Sequence, residues 1–292
     1  PPRTWQFAPL LLDVSHIEPC YAYRLKRDDE SLEDYGQRAA QALEDEILAL
    51  GPDTVMAFMA EPVVGATAGA LTPAPGYFKR IREICDQYGV LLILDEVMCG
   101  MGRTGHLFAC EADGVAPDIL CIAKGLGAGY QPIAAVMARE SVIDAIMAGS
   151  GNLWNGHTYM SHAVATAGAL AVLQEVESRD LLSAVRARGR QLETALRERF
   201  GQHAHVGDIR GRGLFWSIEL VAERDSKTPF DVSRNLAGKI QRAAMDAGMI
   251  CYPSQGCADG TAGDHVLLAP AFTSPPEEIE MTVEMLGTAV DQ

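Results

Sequence analysis

The stretch from Val90 to Val97 reads Val-Leu-Leu-Ile-Leu-Asp-Glu-Val, so a short apolar run leads directly into two acids, Asp95 and Glu96. A continuous apolar run of this length predicts a strand that is buried on both faces, as in a parallel sheet. The next apolar run, 118–123, ends at Lys124. Because the carboxyl ends of parallel strands meet at one edge of a sheet, we expect Asp95 and Lys124 to lie together where open α/β sheets bind ligands.

The pairing of Asp95 with Lys124 allows two interpretations. A strand-end acid and a lysine that share one pocket most often form a simple ion pair. The same two groups also match the needs of pyridoxal phosphate, which requires a lysine for its Schiff base and an acid at its pyridinium nitrogen. The residue pair alone leaves both interpretations open, and the neighbouring motifs favour the second.

Short motifs on both sides of this pair carry a family resemblance. They are Glu61-Pro62-Val63, Pro73 with Gly76-Tyr77, Leu92 through Val97, Gly102-Arg103-Thr104-Gly105, Pro117-Asp118, Lys124-Gly125 and His157-Thr158. In this order and spacing, the sequence resembles the class III, fold-type I pyridoxal-phosphate aminotransferases across essentially its whole length. The resemblance implies the cofactor pyridoxal 5'-phosphate, an amine donor, a keto-acid acceptor and a homodimer with a shared active site.

The order of the expected elements indicates an α/β fold. Strand and helix patterns alternate, which predicts a mostly parallel, doubly wound sheet. The strands are expected at 54–59, 90–95, 118–123 and 132–138, and the helices at 31–50, 75–88, 161–176, 180–200, 233–247 and 276–290. Near Glu177 the pattern changes to shorter strands, at 213–220, 249–252 and 265–269. We therefore predict a cofactor-binding large domain over residues 1–177 and a smaller α+β domain over residues 178–292.

Composition limits the classes of function. The 292 residues carry a formal net charge of −15, which argues against binding to nucleic acid or to anionic membranes. No apolar run reaches the ~18 residues that a membrane helix needs, and no signal-peptide pattern opens the sequence. The seven cysteines lack zinc-type CxxC spacing, so we expect free thiols in a reducing cytoplasm. His157 and His162 have no evident third ligand, so no metal site is expected.

The N-terminal segment differs from the family pattern. Residues 1–27 are rich in proline and have no helical period, which predicts an extended linker. Relatives carry a long preceding segment with a Gly/Ser-rich loop for the cofactor phosphate and an aromatic residue that stacks on the ring. Because neither feature is found here, we expect the sequence to be the C-terminal part of a longer enzyme.

The resemblance implies catalytic roles for Lys124 and Asp95. Lys124 is expected to hold the cofactor and then to carry a proton between the substrate carbon and the cofactor. This requires a neutral amine, which burial and a nearby cation promote by lowering its pKa. Asp95 is expected to favour the protonated pyridine ring by opposite-charge pairing, so that the ring withdraws electrons from the substrate.

Three further residues have implied roles beside the cofactor, each with an ordinary structural alternative. Glu61 is expected near the substrate, or is an ordinary strand-end acid. Val97 is expected to pack on one ring face, which is compatible with a place in the core. Thr158 is expected at a helix entry, where a hydroxyl and free N–H groups suit a phosphate. In the family this threonine reaches the cofactor of the partner subunit, although an ordinary helix N-cap is an equal alternative.

The segment Gly100-Met101-Gly102-Arg103-Thr104-Gly105 has the G-x-G-x-x-G spacing of a dinucleotide site. Such glycines should open a helix directly after a strand, whereas here Asp95 and Glu96 intervene and no long helix is expected before Pro117. A tight loop at the edge of the active site is the favoured interpretation.

Departures from the family pattern point to a class of substrate. Ornithine and 4-aminobutyrate enzymes grip a substrate carboxylate with an arginine where this sequence has Leu267, and the loop Gly65–Gly69 lacks the acid that can pair with that arginine. Met98 replaces a glutamine that some relatives place against the cofactor. These features resemble the branch that uses amines or ω-amino acids with pyruvate. Two alternatives stay open: another pyridoxal-phosphate reaction, such as decarboxylation or an aminomutase reaction, and a non-catalytic fragment that lacks the phosphate loop.

Overall fold

The computed structural model describes residues 5–292, and the first of two sheets lies in the N-terminal part of that range. Its strands are β1 (Ala57–Ala60), β2 (Leu91–Asp95), β3 (Ile119–Ile122) and β4 (Ala135–Ala138). They lie in the order β1-β2-β3-β4, and the first three are parallel. Leu92 and Leu94 on one face of β2 are fully buried, whereas Leu91 and Ile93 on the other face are half-buried, so the predicted burial on both faces is only partly met. The predicted α/β class and the mostly parallel sheet are present.

The fourth strand differs from the prediction of parallel pairing. β4 runs antiparallel to β3, with Ile119 opposite Ala138 and Ile122 opposite Ala135. A parallel return needs a crossover of about a dozen residues or more, which usually contains an α-helix. Only a 3-10 turn at Lys124–Leu126 and a short loop connect β3 with β4, so the chain folds back on itself.

Helices α2 (Leu32–Leu50) and α3 (Tyr77–Tyr88) pack together beside β2 and share one apolar core with it. The Ser31 hydroxyl accepts a hydrogen bond from the Asp34 N–H at 3.0 Å, which confirms the predicted helix start. The predicted irregular linker is partly wrong, because a 3-10 helix spans Trp5–Leu10 and a single turn, α1, spans Ala22–Leu25. Residues 1–4 of that linker lie outside the described range.

The second sheet is antiparallel and lies in the C-terminal part of the chain. Its strands, in the order β5-β6-β8-β7, are β5 (Val206–Arg212), β6 (Phe215–Leu220), β7 (Tyr252–Gln255) and β8 (Asp264–Leu268). Helices α6 (Leu181–Phe200), α7 (Leu236–Asp246) and α8 (Pro276–Asp291) share its core, and α4 (Glu140–Ala148) and α5 (Ala163–Ser178) precede it. The sequence analysis did not predict α4 or β5, and the domain boundary near residue 177 stays a prediction.

Both faces of β6 are buried, each against a different partner. Trp216, Ile218 and Leu220 pack with the three C-terminal helices. Phe215 points the other way and packs against Val63, which follows β1 in the first half of the chain. Because side chains alternate along a strand, Ser217 and Glu219 share the face of Phe215 and lie between the two halves of the molecule.

The seven cysteines all lie in the described part of the chain, and none of them forms a disulfide. Burial raises the pKa of Cys20 and of Cys85 to about 11, so these two thiols stay protonated at neutral pH. Among residues 5–292, no helix combines the length and apolar character that crossing a membrane requires.

Candidate active site

Three ionisable residues lie at the carboxyl ends of the three parallel strands. Glu61 follows β1, Asp95 ends β2 and Lys124 follows β3. Burial raises the pKa of Glu61 and the Asp95 carboxylate raises it further, while a backbone N–H and the Lys124 ammonium act in the opposite direction. Asp95 and Lys124 therefore both lie close enough to Glu61 to affect its ionisation. Asp95 and Lys124 thus lie at the same sheet edge, as the sequence predicts.

The strand register sets the separation between Asp95 and Lys124. Asp95 pairs with Cys121 across β2 and β3. Lys124 is three residues further along the chain, which corresponds to about 10 Å of extended backbone. The two backbone positions are therefore offset along the same sheet edge. One Asp95 oxygen accepts a hydrogen bond from the Val97 N–H at 2.9 Å, which helps to orient the carboxylate.

The backbone at Lys124 adopts a conformation that is rare for this residue type. Its φ angle is +41°, in the left-handed region that favours glycine. The next residue, Gly125, lies against the loop after β2, since a Cβ atom there would be 2.9 Å from the Cβ of Met101. Backbone strain of this kind is concentrated at functional sites. The expected burial of Lys124 is not found among residues 5–292, where its side chain is exposed, whereas Glu61 and Asp95 at the same edge are half-buried.

The second acid of the motif, Glu96, has a different task that the sequence analysis missed. Its side chain is fully buried and accepts hydrogen bonds from the N–H groups of Ala109 at 2.6 Å and Cys110 at 2.8 Å. Burial raises the pKa of Glu96, and these two N–H groups oppose the shift. A Cβ atom on Gly100 would be 2.7 Å from a Glu96 oxygen, so the loop fits closely over the carboxylate. Side chains of consecutive residues in an extended chain point in opposite directions. This alternation could have predicted from the sequence that Glu96 does not share the site of Asp95.

Replacing Glu96 tests this assignment. Glu96→Ala leaves the buried N–H groups of Ala109 and Cys110 without a partner, which costs roughly 3 kcal/mol of folding free energy. We expect the melting temperature to fall by about 5 °C or more. Glu111→Ala is the matched control, because Glu111 caps the same segment from an exposed position with one hydrogen bond to the Phe108 N–H at 3.2 Å. Equal melting temperatures for the two variants would contradict the structural role of Glu96.

The Gly100–Gly105 loop follows the first sheet and forms hydrogen bonds to segments next to strands of the second sheet. The Arg103 guanidinium donates hydrogen bonds to the carbonyl oxygens of Leu214 at 3.1 Å and Pro270 at 2.6 Å. The next helical segment is a short 3-10 turn at Ala109–Asp113 rather than a helix that opens at the glycines. The loop therefore lacks the helix N-terminus that a dinucleotide site uses for the pyrophosphate.

Thr158 does not lie at a helix entry, so this part of the prediction is wrong. Helix α5 begins five residues later, at Ala163, and its N-cap is His162, whose ring nitrogen accepts from the Ala165 N–H at 3.4 Å. Ser161 has a φ angle of +57°, which breaks the helical path between Thr158 and the helix. Thr158 lies in an exposed turn.

The family of the chain follows from comparison with known proteins. Residues 5–290 match the family model described as Aminotransferase class-III. The chain belongs to the class-III aminotransferases. An aminotransferase of Gibberella zeae is 43% identical over 287 residues, which cover 97% of this chain and 56% of that protein. An uncharacterized aminotransferase of Schizosaccharomyces pombe is 43% identical over 277 residues, covering 95% of this chain and 60% of that protein.

The fold of this class-III aminotransferase chain is shared with solved transaminases. The omega transaminase from Pseudomonas jessenii in complex with PMP is 36% identical, with a TM-score of 0.90 over 99% of this chain and 63% of that one. This likeness confirms the predicted fold-type I class. The chain spans between 56% and 60% of the length of the two curated relatives.

The residues at the sheet edge supply groups for the ring end of pyridoxal phosphate, the cofactor that the family implies. Asp95 offers a carboxylate for a pyridine nitrogen, and Lys124 offers an amine at the same sheet edge. Val97 is half-buried two residues after Asp95, and its N–H donates to the Asp95 carboxylate; its contact with a ring stays a prediction. The described residues thus supply groups for the ring and for the covalent link, while Thr158 is an exposed hydroxyl without a contact to them in this chain.

Proposed function

We propose that the protein that contains this chain is a pyridoxal-phosphate-dependent aminotransferase. It would move an amino group from a primary amine or ω-amino acid to a keto acid such as pyruvate in a ping-pong cycle. The observation that carries the proposal is the meeting of Glu61, Asp95 and Lys124 at the carboxyl edge of three parallel strands. An acid and an amine on opposite sides of one aromatic ring are the groups that this cofactor chemistry requires.

Each residue of this edge has a distinct proposed task. When bound, pyridoxal phosphate supplies an electron-withdrawing ring that stabilises negative charge at the substrate carbon. Asp95 holds a proton at the ring nitrogen by opposite-charge pairing. Lys124 would hold the cofactor covalently and would move the proton at that substrate carbon. Glu61 places a carboxylate at the same edge, where burial raises its pKa and the Lys124 charge lowers it.

The apolar surroundings of Leu267 support an amine as the donor. Leu267 is 4% exposed and packs in one cluster with Val63, Ala70 and Phe215. A substrate carboxylate needs a cation or several donors when it is buried, and this cluster offers none. The loop Gly65–Gly69 likewise carries no side chain that could pair with such a cation.

Exposed apolar residues near Thr158 support the proposed homodimer with a shared active site. Leu153, Trp154, Tyr159 and Met160 are 69%, 82%, 81% and 61% exposed. Large apolar side chains grouped on one exposed segment mark a surface that another chain covers. In the proposed dimer this segment meets the partner subunit, and Thr158 reaches the partner's cofactor phosphate.

Product analysis with matched acceptors tests the proposed reaction. We expect the protein loaded with pyridoxal phosphate to form alanine from pyruvate with β-alanine or benzylamine as donor. Ornithine with 2-oxoglutarate is the control pair and should react at least about 10-fold more slowly, because the carboxylate clamp is missing. Faster turnover of ornithine with 2-oxoglutarate would contradict the substrate assignment. Release of carbon dioxide without alanine would contradict transamination itself.

A further inference from the structure

The loop after Glu61 forms a closed turn over Gly65–Gly69. At its base, Val64 and Leu71 exchange two backbone hydrogen bonds, at 2.9 and 3.2 Å. Within the turn, the Gly69 N–H donates to the Gly65 carbonyl at 2.9 Å. Displacement of one side of such a turn therefore moves the other side with it.

One side of the turn fixes the Glu61 carboxylate. The Gly65 N–H donates a hydrogen bond to a Glu61 oxygen at 2.8 Å. Burial raises the pKa of Glu61, and this hydrogen bond opposes the rise because it favours the charged carboxylate. Loss of the Gly65 contact would leave Glu61 less well placed and more readily protonated.

The other side of the turn is held by Arg210, which lies on β5 of the second sheet. Its Nε donates to the Gly69 carbonyl at 2.8 Å and its Nη2 donates to the Ala68 carbonyl at 2.5 Å. Arg210 is 6% exposed, so these two bonds are formed out of water. A planar guanidinium presents two such donors in a fixed fork, whereas a lysine ammonium does not.

The position of Arg210 is itself fixed by two carboxylates. Its Nη1 donates to Asp208 at 2.9 Å and to Glu219 at 2.5 Å. Glu219 is fully buried and also accepts a hydrogen bond from the Nε of Arg24 at 2.8 Å. Arg210 and Arg24 therefore share one buried carboxylate, but only Arg210 contacts the turn.

The second sheet also leaves the turn no room to shift. A Cβ atom on Gly69 would collide with the His265 ring and the Ser217 hydroxyl, so the turn rests directly on both. Burial, together with the nearby Arg210 cation, lowers the pKa of His265 to about 4, while Glu219 opposes the shift. His265 is therefore neutral at physiological pH, and Arg210 is the cation that faces the turn from this side.

We propose that Arg210 is a positioning residue that sets the place of the Glu61 carboxylate through the Gly65–Gly69 turn. It acts through the backbone carbonyls of Gly69 and Ala68, with the C-terminal sheet as its support. The inference rests on the proposed transamination for its effect on rate. The contact between Arg210 and the turn is independent of that reaction.

The test compares Arg210→Lys with Arg24→Lys in the cofactor-loaded protein. Both variants keep a cation beside Glu219, but only the first loses the fork on the turn. We expect Arg210→Lys to increase amide hydrogen exchange across residues 64–71 by at least ~10-fold. It should also lower kcat/KM by about 10- to 100-fold, the effect expected when a site residue is misplaced. Arg24→Lys should leave both quantities as in the wild type, even where its melting temperature falls together with that of Arg210→Lys.

A double-mutant cycle with Glu61→Gln separates positioning from general stability. If Arg210 acts through Glu61, Arg210→Lys should change kcat/KM little further once Glu61→Gln is present. An equally large loss in that background would overturn the proposal, as would unchanged exchange across residues 64–71. A wild-type protein without transaminase activity would overturn the proposed function instead. The exchange comparison between the two arginine variants would then decide whether Arg210 holds the turn.

Discussion

Lys124→Ala should abolish the covalent attachment of pyridoxal phosphate and lower the transamination rate by at least ~1000-fold. The reason is chemical, because alanine has no amine to form the link or to move the substrate proton. The fold should persist because the Lys124 side chain is exposed. The close approach of Gly125 to Met101 does not use the Lys124 side chain. The measurement is the absorbance of the reconstituted protein above the range of protein aromatic side chains, together with the rate of alanine formation.

Lys239→Ala is the matched control for this experiment. Lys239 is also an exposed lysine, but it lies on α7 beside the second sheet. This variant should keep the cofactor absorbance and the rate of the wild type. A covalent cofactor absorbance band that survives in Lys124→Ala would show that the link has been assigned to the wrong residue.

Asp95→Asn should retain the fold and lose most of the rate, by about 100- to 1000-fold in kcat, the range seen when one key electrostatic group is removed. The neutral amide cannot favour the protonated ring nitrogen through charge, so the ring withdraws electrons less effectively. The amide oxygen still accepts the Val97 N–H bond that Asp95 accepts at 2.9 Å. Melting temperature and cofactor content should therefore change little.

The neighbouring acid provides the contrast for Asp95→Asn. Asp95 faces the sheet edge, whereas Glu96 is fully buried under the following loop. Substitution at Asp95 should thus affect rate more than stability, and Glu96→Ala should affect stability first. Normal turnover by purified, reconstituted Asp95→Asn would show that the carboxylate does not serve the cofactor ring.

Local sequence patterns were enough to predict the central strands and the place of the site. The apolar runs before Asp95 and Lys124 are short and continuous, and parallel pairing then requires their ends to meet. Glu61 follows from the same rule at the end of β1. The Ser31 cap was also predictable, because it depends on two residues three positions apart.

The parts that were missed depend on contacts between distant segments. β5 reads Val-Gly-Asp-Ile-Arg-Gly-Arg and has no apolar alternation, and its one buried polar side chain, Arg210, contacts the Gly65–Gly69 turn. Nothing near Arg210 in sequence indicates that its partners are carbonyls 141 and 142 positions away. The N-cap role of His162 in place of Thr158 depends on one backbone angle at Ser161, which residue type alone does not predict.

The central claim is that Asp95 and Lys124 hold opposite ends of one aromatic ring. A crystal structure of the protein with bound pyridoxal phosphate tests it most directly. Our account predicts a pyridine nitrogen within about 3 Å of an Asp95 carboxylate oxygen and a covalent bond from the cofactor to Lys124 Nζ. A ring nitrogen that faces another group, or a cofactor attached to a different lysine, would contradict the account.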